Sequence, residues 1–366
     1  MSIRITGVET LLLRVPLRQK TITDSQSRVD HVEFLQVELA TDAGFSGYGM
    51  NWSYTPGLRA AQVSVDDCYA GELAGQDALC RKQLVRRCYY SNHFVGRVGA
   101  AAVGLAAVEF ALWDIACKAV NLPLWRYLGP CRERVKAYST DGGWLSYTQD
   151  ELIQDAASLV ERGFDAIKVK LGRDPREDYE RVGALRKALG PGIKLMTDVN
   201  CAWTLATAKL WGQKLADHDV FWLEEPLHPF DVRGHAELAR SIPVPIAVGE
   251  TIYTKYAFRD FIEAGAVDYV QADATKLLGI DEWLEVAALA GAANKPVIPH
   301  TNVQHKLHAQ LAAATPGVLM LENCYESLMD IWHEPIAVKD GFYELPEEPG
   351  VGLRIREAVV RETRIG

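Results

Sequence analysis

The chain has 366 residues, of which 48% are hydrophobic and 24% charged, the balance of a globular protein rather than a disordered or fibrous one. A formal net charge of −9 argues against nucleic acid or an anionic membrane as partner. No apolar run is expected to reach the length of a spanning helix, and MSIRITGVETLLLRVPL lacks the basic region, apolar core and cleavage site of a secretion signal.

Residues 3–15 and 31–40 alternate as strands, and TDAGFSGYG supplies turn glycines after the second, a meander that opens a small α+β unit. The GFSGYG glycines lead into MNWSYTPG with no helix behind them, so they do not form a dinucleotide loop. Helical periodicity runs from about 58 to 128. Its clearest piece, VGAAAVGLAAVEFALWDIACKAV, is apolar on more than one side and predicts a buried helix. NLPLWRYLGP ends it, with Asn121 suited to the left-handed cap position.

After about 131, short apolar strands alternate with amphipathic helices. The strands read 134–139, 166–171, 193–199, 220–225, 245–250, 268–273, 296–300 and 318–323, which predicts a closed parallel (β/α)8 barrel of the α/β class. The tail returns to turns and short strands. The expected organisation is an α+β capping domain over 1–130, a barrel over 131–330, and a segment 331–366 that packs back on the cap. Seven cysteines are scattered without a C-x-x-C pair, which suits a reducing cytoplasm and no zinc site. Cys201 and Cys324 lie near residues named below and are expected to be buried filler.

In such a barrel the chemistry collects at the C-terminal strand ends. Those ends carry Lys168 and Lys170 (IKVK), Asp198 (LMTDVN), Glu224 (FWLEEP), Glu250 (AVGE), Asp273 (VQAD), His300 (VIPH) and Glu322 (LMLEN). One strand-end carboxylate could cap the next helix, and one K-x-K could be the solvated face of an edge strand. Consecutive strands all delivering ionisable groups to one mouth argue for a site. Asp198, Glu224 and Glu250, on three neighbouring strands, offer three oxygen donors that would repel one another if left alone. A hard divalent cation resolves the repulsion, and an all-oxygen set suits Mg²⁺. Asp273 can orient His300 and raise its basicity. Lys170, beside a metal and a second ammonium, should lose its proton more easily and act as a base, while Lys168 holds an anionic substrate oxygen. Two bases on opposite faces of a Mg²⁺-bound carboxylate are what removal of an α-proton requires, with the metal and a lysine stabilising the enediolate.

These residues resemble the enolase superfamily and, within it, the mandelate racemase group. The resemblance covers nearly the whole chain, including AAVEFALWDIACKAVNLPLWRYLG, the K-x-K strand, DVNCAWT, WLEEPL, VGET, the Asp273/His300 pair and Glu322. It implies one Mg²⁺ per subunit on Asp198, Glu224 and Glu250, Lys170 and His300 as the acid/base groups, and Lys168 on the substrate carboxylate. It also implies that protonated Glu322 donates a hydrogen bond to the other carboxylate oxygen. Asp273 fits the racemase group, since the similar muconate-lactonising branch would carry a lysine there. Cys117 and Asn121 stand where the pattern usually has glycines. Alternation is expected to turn Glu225 away from the site, and Lys276 is expected to be structural.

This machinery specifies proton abstraction beside a carboxylate but leaves the fate of the enediolate open. Members that look like this chain dehydrate sugar acids, which implies loss of water from an aldonic or aldaric acid to give a 2-keto-3-deoxy acid. The alternatives are a racemase or epimerase of a 2-hydroxy acid, and a non-catalytic ligand-binding barrel, against which no metal ligand or base is missing. Specificity is expected from RQKTITDSQSRVDH (18–31) and MNWSYTPG (50–57). Ser25, Gln26, Arg28 and His31 are expected to be free for substrate hydroxyls, with Trp52, Tyr54 and Asn200 completing the contacts. A homo-oligomer acting on a small carboxylate in the cytoplasm is the expected setting.

Overall fold

The computed structural model describes residues 2–18 and 20–365, so Gln19 of the 18–31 loop lies outside the described residues. Ile5–Pro16, His31–Thr41 and Ser46–Ser53 form a three-stranded antiparallel sheet in that order. Of the expected turn glycines, only Gly44 turns the chain, at φ +82°. Gly47 and Gly49 lie inside the third strand. A Cβ on Gly49 would sit 1.8 Å from the Ala107 carbonyl oxygen, and one on Gly47 2.3 Å from that of Ala111. They are glycines because the strand rests directly on the helix Ala100–Ala119. That contact carries Trp52 to the barrel mouth.

The helix Ala100–Ala119 corrects a second expectation. With a mean hydropathy of 1.7 it is long and apolar enough to cross a membrane. It is instead a core helix, 94% buried between the sheet, the shorter cap helices and the barrel. Asn121, at φ +55°, closes it in the left-handed conformation. Its buried Glu109 reaches out of the cap and accepts the backbone N–H groups of Ile280 (2.9 Å) and Asp281 (3.0 Å). A cap carboxylate thereby satisfies the exposed donors that begin the barrel helix Ile280–Ala292.

Eight parallel strand positions close the barrel. Arg134–Ser139, Ala166–Lys170, Lys194–Asp198, Val220–Glu224, Ile246–Val248 and Tyr269–Val270 pair in sequence. Val297 bridges Val270 and Val318, and Leu321–Asn323 returns to Ala137–Ser139 of the first strand. The later strands are shorter than the sequence suggested, so Glu250, Asp273 and His300 lie in the loops just past them. Tyr138, Ala166, Met196, Trp222, Ala247, Ile298 and Met320 fill the interior beneath, making it a packed core rather than a pore.

The tail divides. The eighth strand covers only the end of the first, leaving Arg134–Lys136 with an open edge. The hairpin Val338–Lys339/Phe342–Glu344 fills that edge antiparallel, so this part of the tail belongs to the barrel and not, as expected, to the cap. Beyond it, Val351 N donates to Asp114 (2.7 Å) and Ile355 N to Gln36 (3.2 Å) of the cap.

Candidate active site

Asp198 and Glu224 end the third and fourth barrel strands, and Glu250 follows the fifth. All three are buried, and one oxygen from each lies within 4.8 Å of the others. They do not cap the following helices, because Thr204, Asp231 and Thr254 already do so. Burial first, and repulsion from Asp198 and Glu250, push Glu224 up despite the lysine beside it. Glu250 Oε2 is buried without a hydrogen-bond partner. Three crowded carboxylates with an unsatisfied oxygen are the donor set of a hard divalent cation, and the residues fit such an ion.

Both lysines of IKVK point into the barrel, as alternation requires. Lys168 is fully buried, with Nζ 2.7 Å from Glu224 and 2.8 Å from Glu322. Lys170 lies nearer the opening, with Nζ 2.5 Å from Asp198. Burial alone would lower both ammonium groups, but the carboxylates outweigh it and both are raised. The two carboxylates that raise Lys170, Asp198 and Glu250, belong to the expected metal-ligand set, so the proton on Lys170 is tied to the charge of that trio. Although burial favours the neutral form of Glu322, Lys168 and His300 outweigh this and hold it low, and its carboxyl accepts from Lys168 (2.8 Å) and from the Thr140 hydroxyl (2.6 Å).

On the other side stands His300. Its Nδ1 lies 2.8 Å from Asp273 and its Nε2 3.4 Å from Glu250. Burial opposes the imidazolium, but Glu250, Asp273 and Glu322 raise His300 to about 9. Lys170 thus leans on one end of the carboxylate trio and His300 on the other.

The specificity loops divide differently from expectation. Ser25 Oγ donates to the Val199 carbonyl (2.7 Å) and the Gln26 amide to that of Asn200, so both pin the loop beside Asp198 instead of offering free donors. His31 Nδ1 is engaged by Asp30 at 2.5 Å, and Arg28 is exposed. The second loop does reach the site. Trp52 packs 6.2 Å from the His300 ring and 5.7 Å from Tyr54, whose hydroxyl is raised by burial and by the charge of Glu250. Asn200 supports Asp198 through its backbone N–H (2.9 Å) and keeps a buried, unpartnered Oδ1.

Several residues at the site escaped the sequence reading. Glu225 adopts φ +40°, which breaks the alternation and buries its carboxyl near Glu250 and Asp198, bonded by the Thr251 hydroxyl. Gln271 donates to Glu224 (2.7 Å); lying two residues before Asp273, it was within reach of the same alternation argument. Trp144 places its ring 5.5 Å from Lys170 Nζ, and Lys276 places its Nζ 4.8 Å over Trp52. Loop residues of this kind carry no periodic signal. Burial, then neighbouring negative charge, pushes both the Cys201 and Cys324 thiols up, leaving them as packing groups.

Residues 7–129 match the mandelate racemase / muconate lactonizing enzyme N-terminal domain, and residues 151–359 the enolase C-terminal domain-like family. The chain is 31% identical to an L-talarate/galactarate dehydratase of Salmonella typhimurium, over 99% of its own length and 92% of that protein's. It is 33% identical to a 3,6-anhydro-alpha-L-galactonate cycloisomerase of Streptomyces coelicolor, over 95% and 96% of the two lengths. A crystal structure of an L-talarate dehydratase from Polaromonas sp. JS666, complexed with Mg and L-glucarate, is 33% identical and gives a TM-score of 0.92 over 100% of this chain and 98% of that one. Cap and barrel are thus both matched, and the chain belongs to the mandelate racemase group of the enolase superfamily.

Proposed function

We propose that the protein is a Mg²⁺-dependent hydro-lyase of acid sugars, which removes the proton α to a carboxylate and expels the β-hydroxyl as water to leave a 2-keto-3-deoxy acid. The observation that carries this reading is the placement of Lys170 and His300 at opposite ends of the Asp198/Glu224/Glu250 trio, at 2.5 Å and 3.4 Å from its outer members. When bound, Mg²⁺ would supply a Lewis acid for the substrate carboxylate and offset the carboxylate charge that raises Lys170.

Lys168, fixed by Glu224 and Glu322, presents a cation to one carboxylate oxygen. Lys170 accepts the α-proton. His300, held through Nδ1 by Asp273, carries the proton that the departing hydroxyl needs. Trp52, Tyr54 and Trp144 wall the mouth with aromatic rings, and the buried indole N–H groups of Trp52 and Trp144 are without partners, which suits hydroxyl acceptors on a polyol. The relatives named for dehydration and cycloisomerisation of sugar acids support the same substrate class. The seven free thiols support a cytoplasmic location. A homo-oligomer, expected from the resemblance, belongs to the same reading and is checked by light scattering.

The test is incubation of Mg²⁺-loaded protein with aldonic and aldaric acids, followed by semicarbazide. Formation of a 2-keto acid from at least one of them is expected. A change in optical rotation with no keto acid would replace the lyase reading with the racemase or epimerase one.

A further inference from the structure

Lys276 was expected to be structural, and the partner the structure gives its ammonium is the Trp52 ring rather than an acid. Among the described residues it makes no side-chain hydrogen bond and no ion pair, and it lies 4.8 Å over the Trp52 ring at the cap-barrel seam. Most other cations near the mouth are occupied: Lys168 and Lys170 hold the site carboxylates, Lys20 pairs with Glu151 and Arg18 with Asp330, while Arg28 lies exposed on the 18–31 loop rather than against Trp52. Burial lowers Lys276, against the raising pull of Asp273 and Glu250 at a distance. Asp273 is already taken by His300, His308 and the Thr275 N–H, and Glu250 belongs to the metal trio.

A partly buried ammonium without an acid is costly, and a face of indole offsets only part of that cost. Trp52 does not need the lysine for its own position, since Asn51 Oδ1 accepts its backbone N–H at 2.8 Å. The same Asn51 donates to the Thr275 carbonyl (2.8 Å), so one side chain fixes both the strand that carries Trp52 and the turn that carries Lys276. Trp52 therefore stands as a rigid spacer, with the His300 imidazole 6.2 Å from its ring centre and the Lys276 ammonium 4.8 Å from it. His300 and Lys276 thus both stand against one ring, which brings Lys276 to the edge of the site.

We propose that Lys276 anchors a second carboxylate at the far end of the substrate, so that the protein acts on aldaric diacids in preference to aldonic monoacids. This rests on the acid-sugar reading and narrows it. A terminal hydroxyl could accept a hydrogen bond from Lys276 but would leave its charge uncompensated, whereas a carboxylate satisfies both. The relatives named above include both kinds of acid, so kinship alone does not decide between them.

Equilibrium binding tests the assignment without turnover. Glucarate, galactarate and talarate are compared by calorimetry with gluconate, galactonate and talonate on Mg²⁺-loaded Lys170→Ala protein, with and without Lys276→Met. At least one diacid should bind more tightly than its monoacid, and Lys276→Met should weaken that diacid about 10- to 100-fold, the worth of one charge-assisted hydrogen bond. The monoacid should change less than about threefold, which also shows that the variant is folded. Lys276→Arg should keep the preference for diacids. Equal affinity for both series, equal losses in both on Lys276→Met, or no binding in either would overturn the proposal. Failure of the lyase reading would look different: the diacid preference and its loss in Lys276→Met would persist, while wild-type protein formed no keto acid.

Discussion

Asp273 stands between two imidazoles: His300 Nδ1 lies 2.8 Å from one oxygen, and His308 Nε2, which accepts the Ala274 N–H, lies 3.3 Å from the other. Although burial favours the neutral acid, these contacts hold Asp273 low as a carboxylate, and it in turn helps to lift His300 to about 9.

Asp273→Asn preserves the shape and removes the charge. The His300 imidazole, followed by NMR in the metal-free protein, should then titrate below its wild-type value. Because the folded value is raised, the stability that His300 contributes is full below its unfolded value of 6.5 and is lost as the pH rises through about 9. The variant should lose that segment of the stability curve, and turnover should fall roughly 10²–10⁴-fold. An unchanged titration would remove Asp273 from the account.

Glu109 gives a second pH effect far from the chemistry. Burial, assisted by the charge of Asp281, raises its carboxyl from 4.5 to about 8 against the pull of two backbone donors. A raised carboxyl contributes stability that is full below about 4.5 and lost as the pH rises through about 8. The melting temperature of the wild type should decline across that window. Glu109→Gln, which cannot ionise, should flatten the decline. Parallel curves for the two proteins would mean that Glu109 does not titrate there.

The carboxylate trio predicts stabilisation by metal. Mg²⁺ at about a hundred times its dissociation constant should stabilise the fold by about 2.7 kcal/mol, and EDTA should remove both that gain and all turnover. Glu224→Gln should weaken Mg²⁺ binding far more than Glu225→Gln, because Glu225 is engaged by the Thr251 hydroxyl. Equal losses would promote Glu225 to a ligand.

What could be read from the sequence was what repeats. Spacing of one β-α unit locates Asp198, Glu224, Glu250, Asp273, His300 and Glu322 in the sequence, and the structure gathers them at one mouth. Period-two alternation aimed Lys168 and Lys170 inward together. The reading failed where the backbone left its regular conformation or where a polar group found a local partner. Glu225 turns inward because its φ is positive. Gly47 and Gly49 are strand glycines because a helix backbone presses on them, a tertiary cause invisible in the local string. Ser25 and Gln26 are polar in order to dock a loop, and composition alone does not distinguish docking from ligand binding. Charge states were hardest, since Lys170 depends on nearby carboxylates and Glu322 on nearby cations that come from other strands.

The docking role of Ser25 is itself testable. Its hydrogen bond to the Val199 carbonyl ties the 18–31 loop to the residue after Asp198. Ser25→Ala should cost about 1 kcal/mol of loop closure, seen as a severalfold rise in KM with kcat and Mg²⁺ affinity nearly unchanged. A loss confined to substrates that carry a particular hydroxyl would instead make Ser25 a direct contact.

The last prediction separates the two acid/base groups. Lys170 and His300 sit against Asp198 and Glu250 respectively, on opposite sides of the trio, so each should handle the α-proton on its own face of a bound carboxylate. His300→Asn should stop abstraction from the epimer whose proton faces the seventh strand and remove the acid that expels the hydroxyl. It should still allow deuterium exchange on the epimer whose proton faces the second strand. Lys170→Ala should show the reverse preference. Lys168→Ala should damage both, because Lys168 is fully buried between Glu224 and Glu322 and serves the carboxylate common to both epimers. Each loss should be roughly 10²–10⁴-fold, the usual worth of a positioned acid or base. The measurement is α-proton exchange in D₂O, followed by NMR for each epimer with each variant. Identical losses on both epimers in His300→Asn and Lys170→Ala would leave Lys170 as an electrostatic partner of Asp198 and not a base.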